Sequence, residues 1–93
     1  MDAKVQENRQ LHRFELPISS GLIAAAYYRL EGNSIVLFHT EVPSEYAGRG
    51  IGSCLAQGIF DLLRASGRKA ILTCPFMSRF FANHLDYLDV IAG

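Results

Sequence analysis

The chain has 93 residues, and its nine basic residues balance nine acidic ones, so the formal net charge is zero. That length suits one domain, with a modest core that buries about 60–65% of the unfolded chain's surface. Hydrophobic residues make up 49% and charged residues 19%. This composition excludes a wholly disordered chain, and the charge balance excludes a global pull toward nucleic acid or anionic lipid.

The polar start, MDAKVQENRQ, lacks the apolar stretch of a signal peptide. Residues 1–10 are expected to be a flexible tail ahead of one domain over 11–93. Leu11 to Leu16 alternates, setting His12, Phe14 and Leu16 against Leu11, Arg13 and Glu15. It predicts a short strand closed by Pro17, with His12 on its surface. Ser19-Ser20-Gly21 reads as a turn. Leu22 to Leu30 is apolar on both faces, as in a covered central strand. Its run from Leu22 to Tyr28 falls far short of the roughly 18 residues that suggest a membrane span. Glu31-Gly32-Asn33 predicts a hairpin turn, because Gly and Asn accept positive φ.

Ser34 to Val42 predicts a strand stopped by Pro43. Strict alternation places Val36, Phe38, Thr40 and Val42 on one face, with Ile35, Leu37, His39 and Glu41 on the other. After a loop, the apolar period changes to that of a helix. Ile51, Leu55, Ile59, Leu62 and Leu63 form its buried stripe, and Gly67 closes it. Lys69 to Cys74 predicts a strand, and Pro75 suits the first turn of a second helix, Phe76 to about Leu85. Asp86 to Gly93 reads as a weakly structured end. The order is β-β-β-α-β-α: an α/β domain with a mixed sheet of about four strands and two helices. The two strands flanking the long helix should be parallel.

Gly48-Arg49-Gly50-Ile51-Gly52 lies between a strand and a helix start. Unpaired amides and the helix dipole attract anions there, and glycine lets a phosphate come close. Glycines also serve plain turn chemistry, and the pattern leaves both uses open. Walker and dinucleotide loops are excluded, since Ser53 and Cys54 follow Gly52.

These residues resemble the signature of the GNAT superfamily of acetyl-CoA-dependent N-acetyltransferases, in the window Ala47-Gly48-Arg49-Gly50-Ile51-Gly52. The chain is more narrowly similar to very small GNAT-like proteins (YidJ-type, N-acetyltransferase-domain-containing). That likeness rests on Leu30-Glu31-Gly32-Asn33, His39-Thr40-Glu41-Val42-Pro43, Cys74-Pro75-Phe76, Phe80, His84 and Tyr87. Ala47 replaces the arginine or glutamine of the signature, and Leu85 replaces a proline after the histidine. The small family also lacks the N-terminal helices with which larger members build the acceptor pocket.

The resemblance implies an acetyl-CoA-binding protein, as an N-acetyltransferase acting on an unidentified amine. The alternatives are a catalytically silent CoA-binding or protein-interaction module, and a structural domain whose glycine loop is only a turn. It implies that two strands splay near Val42 and Cys74 to admit the pantetheine arm. The pyrophosphate would sit on Ala47, Gly48, Arg49, Gly50, Ile51, Gly52 and Ser53, with Val42, Pro75, Phe76, Phe80 and His84 as further contacts. Cys74, His39 and Glu41 are the catalytic candidates. Cys74 either relays acetyl as a nucleophile or lines the cleft. His39 is a base near neutral pH or a partner for a carbonyl, and Glu41 draws a cationic amine or is a solvated acid. His84 either touches the cofactor or caps a helix end and packs on Tyr87. Cys54 reads as packing.

No metal-ligand spacing appears, so no metal is expected. The two cysteines read as reduced thiols in a soluble, cytoplasmic protein. Neither nucleic acid nor membrane is an expected partner, and a monomer is compatible with the sequence.

Overall fold

The computed structural model describes residues 4–19 and 21–92. Met1, Asp2 and Ala3 of the expected tail, Ser20 of the expected turn and Gly93 lie outside the described residues. The elements run β1 (Gln6–Asn8), β2 (Arg13–Ser19), β3 (Leu22–Glu31), β4 (Ser34–Glu41), α1 (Ile51–Ser66), β5 (Lys69–Leu72) and α2 (Pro75–Ala82). Two 3-10 segments, Ser44–Tyr46 and Leu85–Val90, complete the elements among the described residues. The sheet has five strands in sequence order. The first four are antiparallel, and β5 joins β4 in parallel after the α1 crossover. This is the expected mixed-sheet α/β architecture with one further strand.

That strand corrects the expectation of a flexible tail to Gln10. Gln6, Glu7 and Asn8 pair with Glu15, Phe14 and Arg13, and Val5 packs into the core. The glycine at 58 on α1 leaves room for it, since a Cβ there would overlap the Val5 side chain. Glu7 is held from a distant part of the sequence. Arg68 donates to both its carboxylate oxygens, at 2.8 and 3.2 Å, and Tyr28 donates at 2.6 Å. Burial opposes ionisation of Glu7. The hydrogen bonds from Arg68 and Tyr28, with the charges of Arg68 and Arg9, outweigh that and lower its pKa.

Pro17 does not close β2, which continues to Ser19. Because β1 pairs only as far as Glu15, one side of β2 is an edge at Pro17, where a missing N–H is tolerated. The hairpin turn forms as expected, with Gly32 at φ 59. Both helices pack on one face of the sheet, with Phe14, Leu16, Ala24, Ala26, Ile35 and Leu37 beneath them. The strand Leu22–Glu31 is therefore covered by helices on one face, not both.

The α1 stripe is Ile51, Leu55, Ala56, Ile59, Phe60 and Leu63. Leu62, expected in it, is only partly buried. Each fully buried Leu, Ile or Phe contributes about 1.5–3 kcal/mol. Gly67 ends the helix in the left-handed region at φ 70, and the Arg68 amide closes back on the Leu63 carbonyl at 3.0 Å. The second helix stops at Ala82, short of the expected Leu85.

Residues 86–92 are structured, contrary to the expectation for Asp86 onward. Tyr87 and Val90 are buried, and Ile91 bridges to Ala70 in parallel. Arg64 ties the segment down. It donates to both carboxylate oxygens of Asp89 and to the Asp86 carbonyl, and it lies over the Tyr87 ring at 4.8 Å.

Candidate functional site

The glycine loop is built on a 3-10 turn anchored by Tyr46. Its hydroxyl shares a 2.5 Å hydrogen bond with Ser19 Oγ, and its ring lies 5.5 Å beneath the Arg49 guanidinium. Gly48 and Gly50 both have φ 77 and open space where a side chain would point. Gly50 caps α1 with no side-chain bond, and the first helical bond runs from the Cys54 amide to the Gly50 carbonyl at 3.1 Å. Among the described residues, the amides of Gly48, Gly50, Ile51, Gly52 and Ser53 have no backbone partner. Those donors sit where the helix dipole is positive. Ala47 is exposed and extended. Ile51 turns its side chain into the core, so only its amide faces the site.

Gly52 differs from the other two glycines. A Cβ there would stand 2.6 Å from Phe76 Cζ, a separation that real contacts do not allow. It is glycine because α1 starts against the Phe76 ring of α2.

Beside this loop the sheet opens. Pairing of β4 with β5 ends at Leu37 opposite Leu72. The amides of Thr73 and Cys74 both donate to the Leu37 carbonyl, each at 3.1 Å. Past that point β4 continues to Glu41 without β5 beside it. The ladder between the two strands thus ends ahead of Val42, at Leu37. Val42 is half-buried against the core. Cys74 is 5% exposed, and its Sγ lies 3.4 Å from Thr40 Oγ1. Pro75 opens α2 at its first turn. Cys54 is exposed rather than packed.

A β-bulge corrects the faces expected for β4. Tyr28 pairs with Leu37 and Tyr27 with His39, leaving Phe38 as the extra residue. Alternation restarts one residue out of step. Thr40 therefore shares the helix-covered face with Ile35 and Leu37, while His39 and Glu41 lie on the opposite face. In register, Arg13, Tyr27 and His39 form one row across β2, β3 and β4, with Glu15, Ala25 and Glu41 in the next. His39 Nε2 lies 3.1 Å from Glu41 Oε2. The Tyr27 hydroxyl donates to Glu41 Oε1 at 3.4 Å and accepts from Arg13 Nη1 at 3.1 Å. The Tyr27 ring stacks on His39 with centroids 5.8 Å apart. The structure thus joins His39 to Glu41, and Cys74 to Thr40, and puts the two pairs on opposite faces of β4.

Sequence reasoning missed Thr40, Tyr27 and Arg13 as site residues. The bulge hid Thr40. For Tyr27, the signal was a hydroxyl-bearing aromatic in a strand read as buried on both faces.

A groove of about 260 Å³ opens at the α1 start, lined by Ser53, Phe76, Arg79, Phe80, Asn83 and His84. His84 stacks face to face on Phe80, with centroids 4.0 Å apart, rather than on Tyr87. Its Nδ1 is 2.8 Å from the Phe80 carbonyl. A carbonyl only accepts, so Nδ1 carries the proton and Nε2 of the neutral ring remains an acceptor. Larger hollows of about 520 and 460 Å³ lie elsewhere, beside β1 and at the β3–β4 turn. Among the described residues no group of three metal-ligating side chains occurs. No described helix is long and apolar enough to cross a membrane.

A family model described as GCN5-related N-acetyl-transferase matches residues 13–90, from the first residue of β2 to the end of the last 3-10 segment. The chain belongs to the GCN5-related N-acetyltransferase (GNAT) family. The mouse protein NATD1 is 35% identical over 79 residues, which are 83% of this chain and 72% of that protein. Zebrafish NATD1 is 33% identical over 92 residues, covering 95% of this chain and 84% of its own length. The solution structure of a GCN5-like protein from Staphylococcus aureus superposes with a TM-score of 0.72 at 25% identity, covering 97% of this chain and 88% of that one. The GNAT resemblance drawn from the glycine loop and its flanking strands is therefore borne out, and with it the enzyme class, acyl-CoA N-acyltransferase.

Proposed function

We propose that this GNAT domain binds acetyl-CoA and transfers the acetyl group to a cationic primary amine. One observation carries the reading: the β4–β5 pairing stops at Leu37 and Leu72 beside a helix start whose amides lack backbone partners. Those amides, of Gly48 and of Gly50 to Ser53, would hold the pyrophosphate, with the Arg49 side chain adding a full charge. The free edge of β4 beyond Leu37, and the Cys74–Pro75 corner, would take the pantetheine arm as an added strand. Phe76, Phe80 and His84 line a groove at the same helix start, suited to the rest of the cofactor.

Acetyl-CoA supplies an activated thioester, whose carbonyl carbon accepts the amine lone pair as its C–S bond breaks. The chain's residues handle the protons. A carboxylate cannot donate, so His39 Nε2–H donates to Glu41 and leaves Nδ1 as the basic atom. Nδ1 takes the proton that the amine sheds, and Glu41 stabilises the resulting imidazolium. The acylated nitrogen sheds a second proton: Cys74, beside Thr40, would give its thiol proton to the departing thiolate and regain one from that nitrogen. On the His39 face, Arg13 and Arg29 are already paired with Glu15 and Glu31. Among the described residues, Glu41 has no Lys or Arg partner. That uncompensated carboxylate favours a cationic acceptor, of lysine or polyamine type.

The test is calorimetric titration with CoA and acetyl-CoA, then turnover on a panel of amines by wild type, Cys74→Ser and Cys54→Ser. Cys74→Ser should keep its CoA affinity and lose most turnover, while Cys54→Ser stays near wild type. Equal turnover by Cys74→Ser makes Cys74 a wall of the cleft. Binding without turnover on any amine makes the chain a CoA-binding module.

A further inference from the structure

On the helix-free face of the sheet, the His39–Glu41 pair is joined to two further side chains, Tyr27 and Arg13. Arg13 Nη1 donates to the Tyr27 hydroxyl, which donates in turn to Glu41 Oε1. Glu41 presents its other oxygen, Oε2, to His39 Nε2. The Tyr27 ring also lies against the His39 ring, with 28° between their planes. One side chain on β3 therefore touches both members of the pair on β4, by its hydroxyl and by its face. A strand pair gives this contact because Tyr27 and His39 stand directly opposite each other.

The pair needs such support. The side chains of His39 and Glu41 are 53% and 61% exposed, so little packing limits their rotamers. A solvent-exposed ion pair between mobile side chains contributes little, and a base that is displaced by about 1 Å loses much of its effectiveness. The bulge at Phe38 is what aligns His39 with Tyr27. Without it, alternation would turn His39 toward the helices.

We propose that Tyr27 is a positioning residue for the acceptor's deprotonation. Its hydroxyl, itself oriented by Arg13, fixes the Glu41 carboxylate, and its ring fixes the imidazole plane. Together they keep His39 in the Nε2–H tautomer with Nδ1 open on the helix-free face, where the acceptor amine arrives. This rests on the transfer chemistry of the preceding section and adds to it a side chain that touches neither acetyl-CoA nor acceptor. The charged and titratable groups around His39 on this face are Arg13 and Glu15 from β2, Tyr27 and Arg29 from β3, and Glu41 from β4.

Tyr27→Phe removes the hydroxyl and keeps the ring. Its kcat should fall by about tenfold, a fraction of the 10²–10⁴ that general-base catalysis provides, with the KM for acetyl-CoA unchanged. The same substitution in a Glu41→Ala background should change kcat less than twofold, because Tyr27 acts through Glu41 and alanine leaves its hydroxyl no acceptor there. Equal losses in both backgrounds, or no loss in wild type, overturn the proposal. A second readout needs no turnover. The ¹⁵N shifts of the His39 ring at pH 8 should report mainly the Nε2–H tautomer in wild type, and a smaller share of it in Tyr27→Phe. An unchanged tautomer ratio overturns the proposal even if the enzyme is active. Failure of wild type to acetylate any amine overturns the acetyl-transfer reading, and the ¹⁵N arm still decides whether Tyr27 positions His39.

Discussion

Gly50 and Gly52 stand two residues apart at the start of α1, yet they are glycine for different reasons, and substitution separates them. Gly50 has φ 77 and nothing within 4 Å of an added Cβ. Alanine there meets no neighbour, and its cost is the left-handed backbone, about 1–2 kcal/mol. In a domain of this length each kcal/mol lowers the thermal midpoint by roughly 4–8 °C. Asparagine tolerates the same backbone better, so Gly50→Asn should melt closer to wild type than Gly50→Ala. Both place a side chain at the mouth of the unpaired amides. Both should weaken CoA binding at least tenfold, or about 1.4 kcal/mol. Gly52→Ala has a normal helical backbone but sets its Cβ 2.6 Å from Phe76 Cζ. Displacing that ring costs about 1–3 kcal/mol of stability, and the amide stays open, so the loss of CoA affinity should be smaller than at Gly50. The assay pairs thermal unfolding followed by circular dichroism with calorimetric titration of CoA. A folded Gly50→Asn that binds CoA as wild type does would refute the assignment of the pyrophosphate to these amides.

Two further predictions concern the strand the sequence did not announce. Gly58→Ala should destabilise the domain by about 1–3 kcal/mol through overlap with Val5, and Val5→Ala in the same chain should restore part of it in chemical denaturation. A neutral Gly58→Ala would mean that β1 does not dock on α1. Glu7 has its pKa lowered from 4.5 in the fold. Its ionised form therefore contributes stability above the ordinary carboxylate range, and that contribution is lost as pH falls through the lowered folded value. Glu7→Gln should then unfold at lower denaturant than wild type at pH 7, and the two midpoints should converge in acid.

Much of this domain follows from short-range pattern. The hairpin at Gly32-Asn33, the amphipathic α1 with its closing Gly67, Pro75 at a helix start and the glycine loop each depend on residues within a turn or two of one another. Local backbone preference and hydrophobic period suffice to place them, and the loop with its flanking strands sufficed for the family. What the sequence left undecided depends on partners far along the chain. Val5 and Glu7 look like a polar tail until Gly58 and Arg68 receive them. Asp86 to Val90 looks weakly structured until Arg64 binds Asp89. Gly52 passes for another anion-binding glycine until Phe76 packs against it. The faces of His39, Thr40 and Glu41 turn on one extra residue in β4. A bulge is set by how two strands pair and not by either strand's own alternation, so only the tertiary structure could assign His39 and Glu41 to the open face and Thr40 to Cys74.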